Sequence, residues 1–228
     1  MAKIVGPGSL IVDITAFASH FPVDGETVVA KNIRLGAGGK GSNQMTAAHR
    51  SGSDVRLISR MGDDVLGEAI KRHYEMDKMS MEYVDIVAGE TTDSAVISID
   101  TTTAQNRILV LLDANMKVSG TDVLKAEKEF ADADIVLVQY ETSVESIVQA
   151  KELAKKYGKT FICNPAPFME MPLDFYDGID YITPNETEAE YITGIKTDTM
   201  ENIKLAAKKL LSMGVKHAII TLGVRGVY

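Results

Sequence analysis

The sequence predicts a three-layer α/β/α protein, in which helices cover both faces of a mostly parallel β-sheet and a smaller β-sheet is attached. Short apolar runs rich in β-branched residues recur along the chain, as expected of strands that are buried on both faces. Segments with helical spacing of apolar residues separate these runs, and such alternation is typical of parallel sheets with right-handed crossovers. Two segments interrupt the alternation and predict the smaller sheet.

The first half of the chain begins this alternation. A strand starts at Ile4-Val5, and residues 41–50 have the pattern of a helix. Residues 55–59 form the next apolar run, and residues 65–76 again have helical spacing. These segments predict strand, helix, strand and helix in that order.

The interruptions lie at residues 11–35 and 94–112. The first has mixed polarity around Pro22, with a predicted strand at residues 27–30. The second contains two apolar runs joined by a polar turn, which predicts a β-hairpin. We therefore expect a small antiparallel sheet, called the small sheet below, that projects from the body. The predicted division is a body of residues 1–10, 36–93 and 113–228 and a small sheet of residues 11–35 and 94–112.

The second half has the clearer pattern. Predicted buried strands lie at residues 135–138, 160–163, 181–183 and 218–222. One helix between them carries apolar residues from Val144 to Tyr157 and ends at Gly158, with a predicted cap at Thr142. Another has the apolar stripe Ile203, Ala206, Ala207, Leu210 and Leu211, with a predicted cap at Asp198.

Composition excludes several classes of protein. Of the 228 residues, 45% are apolar and 25% are charged, so the chain can bury a large core and is not disordered. It has no apolar run of the roughly 18 residues that a membrane helix needs. The net charge of −8 argues against nucleic acid as a partner. The single cysteine, Cys163, lies in an apolar run, and we expect a buried thiol in a cytoplasmic protein.

Polar residues follow the predicted strands of the second half. Glu141, Asn164, Asn185 and Thr221 each come at the end of an apolar run. Any one of them, taken singly, is typical of a helix cap or a turn. In a parallel sheet, however, the carboxyl ends of the strands share one edge, where ligands bind. The four positions together therefore predict a cleft.

Asp13 lies within the apolar sequence Leu10-Ile-Val-Asp-Ile. A buried carboxylate needs hydrogen-bond donors, because burial without partners costs several kcal/mol. A ligand with two hydroxyl groups would supply them. The alternative is an outward-facing aspartate on an edge strand.

The glycine-rich loop from Gly36 to Gln44 allows two interpretations. It is not a phosphate-binding P-loop, because a glycine follows Lys40 where serine or threonine is required. Gly36, Gly38 and Gly41 match the G-x-G-x-x-G spacing of dinucleotide-binding proteins, which leaves an NAD(P)-dependent oxidoreductase as an alternative function. Against this, the glycines do not follow the first strand.

Several motifs occur together and in one order along the chain. They are Gly8-Ser9 ahead of Asp13, Phe21-Pro22 ahead of Gly25-Glu26-Thr27, Gly38-Gly39-Lys40-Gly41-Ser42-Asn43-Gln44, Gly62-Asp63-Asp64 ahead of Gly67, Asn164-Pro165-Ala166-Pro167, Thr183-Pro184-Asn185-Glu186 with Glu188, and Thr221-Leu222-Gly223 ahead of Arg225-Gly226. In this combination the chain resembles the ribokinase-like (PfkB) family of sugar kinases over nearly its whole length.

The resemblance implies a reaction and a set of residues. The reaction is transfer of the ATP γ-phosphoryl group to a primary hydroxyl of a pentose, with D-ribose giving ribose 5-phosphate as the first expectation. The implied sugar-binding residues are Asp13, Gly39, Lys40, Asn43 and Glu141. The implied nucleotide-side residues are Asn185, Glu188, Thr221, Gly223 and Gly226, with Glu188 acting on Mg²⁺ through water. A monovalent cation is a further cofactor to consider. The resemblance also implies that the small sheet covers the sugar and joins two copies in a homodimer.

Two departures from the family pattern limit these expectations. The catalytic base of the family is an aspartate in a C-terminal Gly-Ala-Gly-Asp motif, which we expect to lie beyond Tyr228 in a longer protein. The 228-residue chain is therefore expected to be inactive alone. Ile11 occupies a position where ribokinase-like sequences usually place an asparagine that contacts the sugar. The substrate could thus be another furanose, a deoxy sugar or a nucleoside.

Overall fold

The computed structural model describes residues 1–172 and 174–228. Within these residues the strands are β1 (Lys3–Pro7), β2 (Ile11–Ala18), β3 (Asn32–Gly38), β4 (Asp54–Gly62), β5 (Val84–Val87), β6 (Ser94–Asp100), β7 (Asn106–Leu111), β8 (Ile135–Gln139), β9 (Thr160–Asn164), β10 (Tyr181–Ile182) and β11 (His217–Ala218). The α-helices are α1 (Lys40–Arg50), α2 (Val65–Asp77), α3 (Gly120–Lys125), α4 (Glu127–Asp132), α5 (Val144–Tyr157), α6 (Glu186–Thr193) and α7 (Met200–Ser212).

The body is built on a seven-stranded sheet in the order β11-β10-β9-β8-β1-β4-β5. Its strands pair in parallel, and helices alternate with them along the chain as predicted. Neighbouring residues of β1 face different hydrophobic clusters: Ile4 belongs to the cluster with α1 and α2, and Val5 to the cluster with α5 and α7. Both faces of the sheet are therefore covered, which explains why its strands lack polar alternation.

The small sheet has the order β3-β2-β6-β7. Strands β6 and β7 form the predicted hairpin. The sheet is mixed and not purely antiparallel, because β2 pairs in parallel with β6. This correction has a topological reason: both strands enter the small sheet from the same edge of the body, so they run in the same direction.

The prediction of a strand at residues 27–30 is wrong. The strand is β3, which pairs with β2 from Asn32 opposite Phe17 to Gly38 opposite Ile11. Residues 27–30 lie beyond the end of β2, and Val29 is 87% exposed. Their β-branched side chains favour a strand locally, but they have no neighbouring strand to pair with among the described residues.

Two helix caps lie one residue later than predicted. Ser143 caps α5 by accepting a hydrogen bond from the backbone N–H of Ser146, and Thr199 caps α7 by accepting from Asn202. At each start two neighbouring residues are good caps, and the geometry of the preceding loop selects the second. Gly158 ends α5 with a φ of 63°, as predicted. Among the residues that the structure describes, every helix is too short or too polar to span a bilayer.

Gly6 allows the central strands to approach each other, which gives a test of the sheet. A Cβ atom at Gly6 would lie 2.0 Å from the carbonyl oxygen of Leu137 in β8. We expect Gly6→Ala to lower the free energy of unfolding in urea by about 1–3 kcal/mol, since the strands must separate. Gly36→Ala, where a Cβ meets nothing within 4 Å, is the matched control and should change it by less than about 0.5 kcal/mol. Equal effects of the two substitutions would contradict this account.

Candidate functional site

The carboxyl ends of the central strands gather the predicted polar residues at one edge of the sheet. Glu141 follows β8, and Asn164 is the last residue of β9. Asn185 follows β10 and forms an isolated parallel bridge with Thr221, which comes after β11. This edge is also where β1 leads into β2 and where α1 begins. The residues that the sequence places at strand ends therefore share one edge of the sheet.

Glu141 is the centre of this edge. Its side chain is buried and accepts hydrogen bonds from the backbone N–H of Lys40 at 2.7 Å and from the hydroxyl of Ser9 at 2.5 Å. Its other oxygen lies 2.8 Å from the Lys40 ammonium group. The carboxylate thus joins β8 to the start of α1, and the helix N-terminus adds a favourable electrostatic environment.

Asp13 lies beside this centre on β2. A Cβ atom at Gly38 would come within 2.4–2.6 Å of the Asp13 carboxylate, so only glycine allows the loop to pass so close. Gly39 has a φ of 92°, and a Cβ there would lie 2.7 Å from the carbonyl oxygen of Ser9. The two glycines therefore let the loop between β3 and α1 pack directly against Asp13 and Ser9.

The electrostatics of Asp13 reflect this position. Partial burial raises the pKa of Asp13 above its ordinary value, and the negative charge of Glu141 raises it further. A ligand that donates hydrogen bonds to Asp13 would replace the lost solvation. Ile11 and Asp13 lie two residues apart on β2 and so share one face of the small sheet. Ile11 is only 4% exposed.

Asn43 lies in the first turn of α1, three residues after Lys40, so that both side chains are on neighbouring parts of the helix surface. Its side chain is exposed and forms no hydrogen bond within the described residues. Asn43 is therefore placed beside the Lys40–Glu141 pair with its amide free to bind a ligand.

Asn185 and Glu188 form a capping box at the start of α6. The Asn185 side chain accepts from the backbone N–H of Glu188, and the Glu188 carboxylate accepts from the backbone and the side-chain amide of Asn185 at 2.8 and 2.9 Å. Burial raises the pKa of Glu188, while these bonds and the charge of Lys40 act in the opposite direction. The positive charge of Lys40 thus opposes the rise in the pKa of Glu188, but its ion pair is with Glu141.

The remaining nucleotide-side residues lie in a tight turn after Thr221. Gly223 and Gly226 have φ values of 56° and 87°, which favour glycine, and a Cβ at either position would meet nothing within 4 Å. Arg225 in this turn forms an ion pair with Glu186 of α6. Within the described residues the turn makes no hydrogen bond to Lys40 or Glu141. It therefore forms a separate, open part of the edge.

A chain of amides that was not predicted from the sequence crosses the same edge. Gln139 donates to Gln44 at 2.6 Å, Gln44 donates to Asn164 at 3.1 Å, and Asn164 donates to the carbonyl oxygen of Thr183 at 2.9 Å. The chain links β8, α1, β9 and the segment after β10. One signal was available, because Gln44 follows Lys40 by four residues and so faces the same side of α1. Ser9, which binds Glu141, was missed as well.

The structural context of the glycine loop differs from that of a dinucleotide-binding loop. Such a loop connects a strand of the parallel sheet to a helix and places the diphosphate at the helix N-terminus. Here the loop follows β3, which belongs to the small sheet and pairs antiparallel with β2. The N-terminus of α1 is occupied by the Glu141 carboxylate.

Comparisons with known proteins found relatives over nearly the whole chain. The family model described as "pfkB family carbohydrate kinase" matches residues 1–228. Ribokinase of Staphylococcus aureus is 35% identical over 227 residues, which cover 99% of this chain and 74% of the relative. Deoxyribokinase of Salmonella typhi is 32% identical over 220 residues, or 96% of this chain and 72% of the relative. The structure of Arabidopsis thaliana ribokinase complexed with ribose and ATP superposes with a TM-score of 0.86 at 32% identity, covering 100% of this chain and 74% of that one.

The raised pKa of Asp13 can be measured directly. In an NMR titration of protein labelled at the aspartate carboxyl carbons, we expect the Asp13 midpoint above 3.8. A carboxyl group whose pKa is raised in the folded state makes the protein less stable as the pH rises through that pKa, because the charged form is disfavoured by folding. Asp13→Asn should therefore increase the free energy of unfolding at pH 7 and have little effect near pH 3.

Glu141→Gln is the control variant for this titration. It removes the second negative charge and should move the Asp13 midpoint towards 3.8, with the part due to burial remaining. An Asp13 midpoint at or below 3.8 in the unsubstituted protein would contradict the geometry described here.

Proposed function

This chain belongs to the pfkB family of carbohydrate kinases, and from that premise we propose that its sugar is a pentose, with D-ribose phosphorylated to ribose 5-phosphate at the expense of ATP. The observation that carries the proposal is the grouping of Asp13, Lys40 and Glu141 at the edge of the sheet where the small sheet joins it. Carboxylates accept hydrogen bonds from sugar hydroxyls, and amides both accept and donate.

The proposed sugar-binding residues divide this work between them. Asp13 accepts from two hydroxyls, and the exposed amide of Asn43 completes the contacts from α1. The backbone of Gly39, which no side chain shields, lets the sugar approach the loop closely. Glu141 already accepts three hydrogen bonds from Ser9 and Lys40. We therefore propose that Glu141 contributes one remaining lone pair to the sugar and mainly holds Lys40 in place.

The proposed phosphate side is formed by Asn185, Glu188, Thr221, Gly223 and Gly226. The donor set there fits Mg²⁺ held through water and substrate phosphates, because Mg²⁺ keeps several waters and uses one or two carboxylates. Glu188 supplies one such buried carboxylate, and the described residues contain no group of three or more His, Cys, Asp or Glu side chains that could bind a metal directly. When bound, Mg²⁺ neutralises phosphate charge. In the turn after Thr221, the backbone N–H of Gly226 donates to the carbonyl oxygen of Gly223, and the N–H groups of Gly223 and Val224 form no backbone hydrogen bond within the described residues and are the ones open to phosphate.

Lys40 connects the two sides. Its ammonium group lies 2.8 Å from Glu141 and is close enough to Glu188 to influence its pKa. Phosphoryl transfer depends mainly on positioning and on neutralising charge. We propose that Lys40 stabilises the transferred phosphoryl group while Asp13 and Glu141 orient the accepting hydroxyl.

A catalytic base is the component that this chain does not provide. No Gly-Ala-Gly-Asp sequence occurs in its 228 residues. Neither Asp13 nor Glu141 is free for that role, because both are committed to holding the sugar and Lys40. We propose that the 228-residue chain binds sugar but has no kinase turnover by itself.

The substrate and the lack of turnover can be tested together. Isothermal titration calorimetry with D-ribose, 2-deoxyribose and a nucleoside should show binding of a pentose. A coupled assay with the same sugars should show no ADP release above background. Robust ADP release would overturn the assignment of inactivity. Absence of binding for all three ligands would overturn the proposed sugar site.

Ile11 gives a prediction about which pentose is preferred. An isoleucine cannot form a hydrogen bond on the face that it shares with Asp13, and loss of one polar contact costs about 1–3 kcal/mol. The relatives include both ribokinases and a deoxyribokinase. We expect Ile11→Asn to increase the affinity for ribose about tenfold over that for 2-deoxyribose in calorimetry. Ile86→Asn, on a partly exposed residue of β5 at the far edge of the body sheet, is the control and should leave the ratio unchanged. An unchanged ratio in Ile11→Asn would exclude a role in specificity.

The small sheet is proposed to cover the sugar and to form a homodimer. Most of the apolar side chains that it exposes lie on the face opposite Asp13, where Leu35, Val96 and Leu109 occupy one row across the sheet. Its exposed large apolar side chains are Ile33, Leu35, Val96, Ile108, Leu109, Val110 and Leu111. Ile108 and Val110 lie on the Asp13 face, and the other five lie on the opposite face. A row of exposed apolar side chains on one face is typical of a protein interface.

Multi-angle light scattering after gel filtration tests the dimer. We expect the unsubstituted chain to be a dimer and Leu109→Asp, at a side chain that is 77% exposed, to be a monomer, because a charge buried in an apolar interface is costly. Val65→Asp, on an equally exposed residue of α2, should remain dimeric. A monomeric unsubstituted chain, or a dimeric Leu109→Asp variant, would refute the interface.

A further inference from the structure

A buried polar cluster joins the small sheet to the body. Its members are Leu10 just before β2, Asp93 just before β6 and Asn115 shortly after β7, and all three are fully buried. Three of the four passages of the chain between the two sheets therefore meet at one place. The fourth passage is the glycine loop between β3 and α1. None of these residues has a role in the proposed binding of sugar or phosphate.

The side-chain amide of Asn115 binds both backbone polar groups of one residue. Its Oδ1 accepts from the N–H of Leu10 at 3.0 Å, and its Nδ2 donates to the carbonyl oxygen of Leu10 at 2.7 Å. The same Oδ1 also accepts from the hydroxyl of Ser59 in β4 at 3.0 Å. The amide thus acts as a neighbouring strand for Leu10 and fixes it to the body sheet. Buried polar groups satisfied in this way hold a single geometry.

Asp93 holds the turn that carries Asn115. Its Oδ1 accepts from the backbone N–H groups of Asp113 at 2.9 Å and Asn115 at 3.4 Å. Its backbone carbonyl accepts from Val12 at 2.9 Å, one residue before Asp13. The start of β2 is therefore held by hydrogen bonds at two points, from Asn115 to Leu10 and from Val12 to Asp93.

The position of Leu10 matters for both carboxylates of the candidate site. On one side of it, Ser9 donates to Glu141. On the other side, β2 continues as a paired strand to Asp13, three residues away. A paired strand moves as a unit. The position at which Leu10 is fixed therefore sets the position of Asp13 relative to the Lys40–Glu141 pair.

We propose that Asn115 is a positioning residue for Asp13. By pairing with the backbone of Leu10, it holds the start of β2 so that the Asp13 carboxylate faces Glu141 and the glycine loop. The importance of this for sugar binding rests on the proposed function. The placement of Asp13 itself does not, and it can be measured without a ligand.

The test compares Asn115→Ala with Thr197→Val. Thr197 is also buried and donates one hydrogen bond, to the carbonyl oxygen of Glu186 at 3.0 Å, so its loss lowers stability without touching β2. In an NMR titration we expect Asn115→Ala to shift the Asp13 midpoint down towards 3.8, because a loosened β2 lets water reach the carboxylate and separates it from Glu141. Thr197→Val should leave that midpoint unchanged.

Calorimetry with D-ribose adds the functional readout. Asn115→Ala should weaken ribose binding about tenfold, and Thr197→Val should not weaken it. Ser59→Ala removes only the tie between the amide and β4, and should shift the Asp13 midpoint in the same direction by a smaller amount. It serves as the test if Asn115→Ala does not fold.

The outcomes separate the inference from the proposed function. If the Asp13 midpoint in Asn115→Ala equals that in the unsubstituted protein, the positioning role is overturned. If Asn115→Ala does not fold, the same comparison is made with Ser59→Ala. A shifted midpoint with no ribose binding by any variant, including the unsubstituted chain, supports the positioning role and overturns the proposed sugar site instead.

Discussion

The buried carboxylate of Glu141 is the interaction on which the candidate site depends. A charge at this depth is stable only when donors surround it, and here Ser9, the backbone of Lys40 and the Lys40 ammonium group supply them. These donors come from two separate parts of the chain, and Glu141 itself belongs to a third. Satisfying one carboxylate therefore fixes the relative positions of the β1–β2 connection, the start of α1 and the end of β8. The same charge raises the pKa of Asp13 and so acts on the neighbouring group as well.

The candidate site also requires the loop between β3 and α1 to pass very close to Asp13 and Ser9, and glycine residues allow this. Gly38 lets the loop pass beside the Asp13 carboxylate, and Gly39 lets it pass over Ser9 with a positive φ. The loop that looks like a dinucleotide-binding motif in the sequence thus has a different use. Its glycines bring two sheets together over a carboxylate, and the following helix N-terminus faces Glu141 in place of a diphosphate.

The body and the small sheet contribute different properties. The body supplies an edge along which hydrogen bonds run from Gln139 through Gln44 and Asn164 to the carbonyl oxygen of Thr183. The small sheet supplies Asp13 and Ile11 on one face and a large apolar surface that the described residues leave exposed. The polar cluster at their junction is fully buried, so the small sheet is attached at a defined height while its far end extends away from the body.

Local patterns in the sequence were sufficient for most elements of the fold. Strands β1, β4, β8, β9 and β10, helices α1, α2, α5 and α7 and the β6–β7 hairpin follow from periodicity, because burial on one or both faces leaves a direct trace in the order of apolar residues. Strand β5 was not predicted, and the strand predicted at residues 218–222 is only the short β11. The motifs also indicated Asp13, Lys40, Glu141, Asn185 and Glu188. The last four lie at strand or helix ends of the body, whereas Asp13 lies within β2. Residues 27–30 show the limit of this approach, since a strand forms only where a partner exists, and the partner of β2 starts at Asn32.

Partners far apart in the chain were decided by the tertiary structure alone. The parallel pairing of β2 with β6, the bond from Ser9 to Glu141 and the amide chain through Gln44 each join residues about 80 to 130 positions apart. Nothing in the local order of residues encodes which distant group a polar side chain will meet. That choice depends on the register and direction in which whole strands pack, and these are set by the burial of both cores together. The sequence determined which groups are available for binding, and the packing of the two sheets determined that Asp13 faces Glu141.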